Sequence, residues 1–253
     1  MNNDVLLATI FADTAQPLAV QCAHWVRSSR RFRSFAETYR DKIRKKVSQS
    51  RDEQVLSDLR CELSVAFLLV QAREFQVEYE RAAQAKQGGP DFTVLYKTHT
   101  PVHVEVKRLR PPAPGQDHVA LGQTKILNTI GDKLGQMPPG AINVLVLVAD
   151  RADTSGSAAP DLLGTMKLVQ ERIMTRDDAF FVGRGLGGVR DFVRASQRLS
   201  AIILRAEQPA TAVLWRNPAA RHLLPPAIAT LLQRCLSAED STGASHAEPH
   251  NAA

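Results

Sequence analysis

The most constraining stretch of this sequence is AINVLVLVA, residues 141–149, an apolar run broken only by Asn143. A strand buried on both faces reads as a continuous Val/Ile/Leu run, whereas a half-exposed one alternates. The run has strand length and falls far short of the roughly 20 apolar residues that span a bilayer. It therefore predicts a central strand covered on both sides and no membrane partner. A chain of 253 residues, 44% hydrophobic, can bury a substantial core around such a strand.

The flanking sequence supplies both the covering helices and the neighbouring strands. A helix is expected from about Arg51 to Arg73, with Val55, Leu59, Leu63, Ala66, Phe67 and Val70 as its buried stripe. FQVEYERA (75–82) reads as a strand, and after Gly88 and Gly89 the segments DFTVLYK and PVHVEVKRL read as a hairpin. PPAPGQ (111–116) is a loop, and HVALGQTKILNTIGDKLGQM (118–137) is a helix ended by Pro138, Pro139 and Gly140. Beyond the apolar run come helices near 162–175 and 189–199, strands AIILRAE and TAVLWRN, and a last helix near 225–236. That order predicts an α/β layer with a mixed sheet.

Three segments follow: an N-terminal basic helical region (1–50), an α/β core (51–236) and a tail, SAEDSTGASHAEPHNAA (237–253), with too little apolar content to fold. The N-terminus has no basic leader, and Asp4 and Asp13 interrupt its apolar patch, so no secretory signal is read and a cytoplasmic location is expected. Cys22, Cys61 and Cys235 form no CxxC pair and are expected to be buried thiols.

The positive charge is local. Residues 24–51 hold ten Lys or Arg against Glu37 and Asp41, whereas the whole chain carries only +6, so the remainder is net acidic. Trp25, Phe32, Phe35, Tyr39, Ile43 and Val47 recur in this segment near helical spacing, which predicts an amphipathic helix with a cationic exterior. Such a surface attracts a polyphosphate backbone, with Arg30, Arg31, Arg44, Lys45 and Lys46 as its contacts. A solvated helix face that binds nothing is the alternative.

The chemistry lies in the hairpin. On PVHVEVKRL the residues Val102, Val104 and Val106 form one face, and His103, Glu105 and Lys107 share the other. Asp91 at the head of the neighbouring strand could converge with Glu105, and two carboxylates suit a hard divalent cation such as Mg2+. The ion would polarise a phosphodiester, and Lys107 could orient the attacking water. His103 shares the Glu105 face as a substrate contact or as a hydrogen-bonded strand residue.

Pro90-Asp91 followed by Glu105-Val106-Lys107 resembles the PD-(D/E)xK nuclease superfamily, whose members have a restriction-endonuclease-like fold. The resemblance implies a mixed central sheet flanked by helices and a Mg2+-dependent endonuclease, with Mn2+ as a substitute, acting on DNA ahead of RNA. It implies Asp91, Glu105 and Val106 as metal contacts and Lys107 as a catalytic residue. Glu62 on the preceding helix and Gln123 on the following one match two further polar positions of the family. Both are also predicted to face inward by periodicity, Glu62 between Leu59 and Ala66, and Gln123 ahead of Leu127, Ile130 and Leu134. A homodimer is what two-fold duplex cleavage would require. The alternative function is a catalytically silent nucleic-acid-binding or scaffold protein that retains the fold.

A competing pattern is Gly183-x-Gly185-x-x-Gly188 followed by a helix and a strand ending in Glu207, the outline of a dinucleotide-binding fingerprint. The strand before it is at most AFFV. A glycine loop joining late elements, with Arg184 and Arg190 near phosphates, is the preferred reading.

Overall fold

The structure is a computed structural model describing residues 1–50, 52–80, 89–110, 118–149, 160–207 and 209–240, with the side chains of 118–121 outside the description. Five helices come first: α1 (Asn3–Ile10), α2 (Pro17–Ser28), α3 (Arg30–Thr38), α4 (Arg40–Gln49) and α5 (Glu53–Gln71). Strands β1 (Phe75–Tyr79), β2 (Phe92–Tyr96) and β3 (Thr100–Leu109) follow, then α6 (His118–Leu134) and β4 (Ile142–Ala149). The chain continues through α7 (Leu162–Met174), α8 (Asp178–Val182), α9 (Val189–Ser196), β5 (Ala201–Ala206), β6 (Thr211–Arg216) and α10 (Pro226–Leu236).

The six strands lie in one sheet in sequence order. The β1/β2 and β2/β3 pairs are antiparallel, β3/β4 and β4/β5 are parallel, and β5/β6 is antiparallel. The β2/β3 turn places Lys97 and Thr98 at φ 47° and 67°, a consecutive left-handed pair that reverses the chain tightly. Each parallel step needs a crossover of helical length, which α6 supplies before β4 and α7 to α9 supply before β5.

The apolar run behaves as its sequence requires. Along β4, Val144, Val146 and Val148 enter one core while Leu145, Leu147 and Ala149 enter the other. The first core joins that face to α1–α5 and α10, and the second joins the opposite face to α6, α7, α8 and α9. The result is a mixed α/β architecture with helices on both faces of a mixed sheet. The N-terminal helices contribute to the first core, where the Trp25 ring stacks on Phe67 of α5 at 5.6 Å.

The single basic helix expected over 24–51 is three helices. Ser29 has extended backbone (φ −131°, ψ 112°), and its hydroxyl accepts the Phe32 N–H at 3.1 Å as the N-cap of α3. A second break falls at Tyr39 (φ −106°, ψ 16°). Val55, placed on the α5 stripe, is instead 42% exposed in the helix's first turn. AFFV lies within α8, so the glycine motif follows a helix, not a strand. Within 237–253, residues 237–240 belong to the fold, with Asp240 buried; the rest lies outside the described residues. Residues 81 and 82 of the expected first strand also lie outside them. Among the described residues no helix is long and apolar enough to cross a membrane, and all three cysteines are free, Cys235 being only partly buried.

Candidate active site

Asp91 precedes β2 and is tied to the strands on either side. Its Oδ2 accepts the Val106 N–H of β3 at 2.8 Å, and its backbone carbonyl accepts the Glu80 N–H, just past β1, also at 2.8 Å. Glu80 takes a left-handed conformation (φ 41°). The Val106 side chain is buried in the first core, so this residue reaches the site through its backbone.

Glu62 approaches from α5, on the first-core side. One oxygen from each of Glu62, Glu80 and Asp91 can be chosen so that all lie within 4.8 Å of one another. Lys46 of α4 enters this group, its Nζ 2.6 Å from Glu62 Oε1 and 2.5 Å from Glu80 Oε1. The same Nζ lies 4.9 Å from the centroid of the buried Tyr79 ring.

Crowding like charges into a partly buried site shifts their titration. Asp91 is pushed up to about 8, first by burial and then by the charges of Glu62 and Glu105; the Val106 N–H and Lys46 pull the other way. Burial also raises Glu62, against the pull of Lys46. Burial depresses Lys46, but the charges and hydrogen bonds of Glu62 and Glu80 outweigh it, so its pKa rises. The Tyr79 phenol is raised by burial and then by Glu62.

Glu105 occupies the other face of β3. Lys133 of α6 is 2.7 Å from Glu105 Oε1 and also donates to Gln136 Oε1 at 2.8 Å. Asp91, His103, Glu105, Lys107 and Lys133 line one cavity of about 240 Å³, with Pro90 and Asn143 on its wall. Asp91 therefore stands between the Glu62 side and the Glu105 side, and Glu105 and Lys107 share its cavity. Gln123 does not line that cavity. It is partly buried ten residues before Lys133, a rise of about 15 Å along a helix.

A larger groove of about 1010 Å³ runs between α3 and β1 past Arg31, Lys42, Arg73 and Lys97. It reaches Tyr79 and Glu80 but none of Asp91, Glu105 or Lys107, so the smaller cavity is the one associated with the motif.

The five basic residues expected to meet phosphate divide. Arg30 and Lys45 are exposed, and Arg44 forms an exposed ion pair with Asp41 at 3.3 Å. Arg31 is also exposed and donates to the carbonyls of Gln71 and Phe75 at 3.5 Å. Lys46 is committed to the carboxylates.

At the glycine motif, Asp178 Oδ1 accepts the Val189 N–H at the start of α9 at 2.8 Å. Arg184 donates to the Phe180 carbonyl at 2.6 Å and lies over its ring at 3.8 Å, whereas Arg190 is exposed. Glu207 is paired with Arg60 at 2.9 Å. These contacts, and the helix in place of a strand, disagree with a dinucleotide site.

Glu80 and Lys133 were not anticipated from the sequence as site residues, and Lys46 was expected to meet phosphate but instead pairs with Glu62 and Glu80. Lys133 follows Ile126 by seven residues and Ile130 by three, both buried, which puts it on the inward face of α6 beside the stripe used to assign Gln123. Lys46 similarly follows buried Ile43 by three. Both were legible as inward cations by the criterion applied to Glu62. Comparison with known proteins yields no match to any family model, curated protein or solved structure.

Proposed function

We propose that this chain is a metal-dependent nuclease of restriction-endonuclease-like fold that hydrolyses phosphodiester bonds of nucleic acid, DNA ahead of RNA. The observation that carries the reading is the position of Asp91, fixed to the Val106 N–H and sharing one cavity with Glu105 and Lys107, while Glu62 approaches from the opposite side. The hairpin, the parallel strand after it, and the helices α5 and α6 before and after the motif are compatible with the fold implied by the resemblance.

The donor set fits a hard divalent cation, because the three clustered groups are all carboxylates and no sulfur or imidazole is among them. Asp91, Glu62 and Glu80 would hold Mg2+ or Mn2+, with Glu105 and the Val106 backbone on the β3 side. The bound ion would supply charge neutralisation at the phosphodiester and at its leaving oxygen. Lys107 orients the attacking water by donating a hydrogen bond to it and offers a second to a non-bridging phosphoryl oxygen. The Val106 N–H fixes the direction of the Asp91 carboxylate. Arg30, Arg44 and Lys45 supply the phosphate-binding surface.

The pairing of Lys46 with Glu62 and Glu80, and of Lys133 with Glu105, favours a second reading in which the fold binds nucleic acid without cutting it. Incubation with single- and double-stranded DNA and RNA in Mg2+ or Mn2+ separates the two. Cleavage that falls at least a hundredfold in both Asp91→Asn and Lys107→Ala, with the fold retained, is expected of the nuclease. Binding without cleavage establishes the second reading.

A further inference from the structure

We infer that Lys46 is a tethered counter-ion seated where the divalent cation must bind, and that the ion gains its ligands only by displacing this ammonium. The inference rests on the metal-dependent reading above. Lys46 Nζ touches Glu62 Oε1 and Glu80 Oε1, at 2.6 and 2.5 Å, and these residues are two of the three whose oxygens cluster. This is not a surface ion pair: the Lys46 and Glu62 side chains are only 26% and 13% exposed. The Tyr79 ring beneath the ammonium adds a cation–π contact.

The placement is enforced by a helix. One turn earlier on α4, Lys42 Nζ donates to the carbonyls of Tyr79 and Glu80, each at 2.7 Å. Lys42 and Lys46 share one face of α4 at i, i+4 spacing, so two amines fasten α4 to the end of β1. A carboxylate oxygen already accepting a charge-assisted hydrogen bond has less electron density for a metal. An ammonium beside the seat also repels a dication through surroundings that screen poorly. The exchange substitutes one divalent cation for one monovalent cation at the same oxygens. Lys46 thus keeps the ion-free site balanced and lowers its affinity for the ion.

The test is calorimetric titration of Mn2+ into the full chain and into Lys46→Met, which keeps an unbranched side chain against Tyr79 but removes the charge. We expect Kd for Mn2+ to be at least tenfold lower in Lys46→Met, with a lower Tm in the absence of divalent ions because Glu62 is left buried without its partner. Equal or weaker Mn2+ binding in Lys46→Met overturns the inference and leaves the metal reading standing, whereas absence of binding in both proteins overturns both. Should Lys46→Met fail to fold, amine acetylation of the unaltered chain decides, read by mass spectrometry with and without saturating Mn2+. Acetylation of Lys46 should rise severalfold with the ion, and unchanged or reduced labelling overturns the proposal.

Discussion

Asp91 is the residue on which the site's electrostatics turn. Its carboxyl, an ordinary aspartate when unfolded, titrates near 8 in the folded chain because burial and the Glu62 and Glu105 charges disfavour the anion. A group whose folded pKa lies above its unfolded value contributes stability fully present below the unfolded pKa and lost as pH rises through the folded one. The ion-free protein should therefore lose stability between about pH 4 and pH 8, by roughly 4 kcal/mol at pH 7 relative to pH 4 from this group alone. Asn at position 91 keeps an acceptor for the Val106 N–H but does not titrate. Urea unfolding of Asp91→Asn across that range should show a flatter pH dependence than the unaltered chain, and identical slopes would remove Asp91 as the cause. Asp91, Glu105 and Lys107 were legible because they sit close together on one hairpin, where strand alternation assigns faces. The pairings of Lys46 with Glu62 and Glu80 and of Lys133 with Glu105 were not, because the partners lie 16, 34 and 28 positions apart and no local period specifies such a pairing.

Elements redistribute what the sequence concentrates. The run of positive charge over 24–51 looked like one cationic helix, but the Ser29 cap and the break at Tyr39 turn its parts in different directions. Ser29 is the kind of residue that marks a helix start; the apolar spacing across it hid the break, since Trp25 and Phe32 meet in the same core at 5.5 Å. The consequence is functional: Arg30, Arg44 and Lys45 face solvent while Lys46 faces the carboxylates. Each phosphate contact contributes about 0.7 to 0.9 to the slope of log affinity against log salt. Replacing Arg30, Arg44 and Lys45 by Gln should lower that slope by about two units if all three meet phosphate, while Mn2+ affinity stays unchanged. Fluorescence anisotropy with a labelled oligonucleotide at several salt concentrations measures it. An unaltered slope would move the phosphate track to the groove lined by Arg31, Lys42, Arg73 and Lys97.

At the scale of the whole molecule, the β2/β3 hairpin and the covering of both sheet faces were readable from the alternating strand and the apolar run, because burial period is a local property. The closure of the chain was not, because it depends on polar residues far apart in sequence. Arg205 of β5 is fully buried on the first-core side, donating through Nη1 to the carbonyls of Leu236 and Ala238, the latter at 3.0 Å. Asp240, also buried, accepts from Ser64 Oγ of α5 at 2.9 Å, and its carbonyl accepts from Trp25 Nε1 of α2 at 3.2 Å. Burial depresses the Arg205 pKa, and the charges of Asp240 and Glu207 oppose that shift. One polar clasp therefore joins α2, α5, β5 and the segment after α10. Ser64 lies two residues beyond Glu62 on α5, so the clasp fastens the same helix that presents a carboxylate to the site. Removing one member of a buried charged network leaves the others desolvated without compensation, typically at 3–5 kcal/mol. Arg205→Met should destabilise the chain by about that amount, whereas Trp25→Phe, which removes one neutral hydrogen bond, should cost about 1 kcal/mol beyond its packing loss. In the double variant Arg205→Met with Asp240→Asn, the loss should be smaller than the sum of the singles, since each change removes the charge that the other leaves stranded. Strict additivity in urea unfolding would show that Arg205 and Asp240 act independently, and the clasp would reduce to separate caps on α5 and α10.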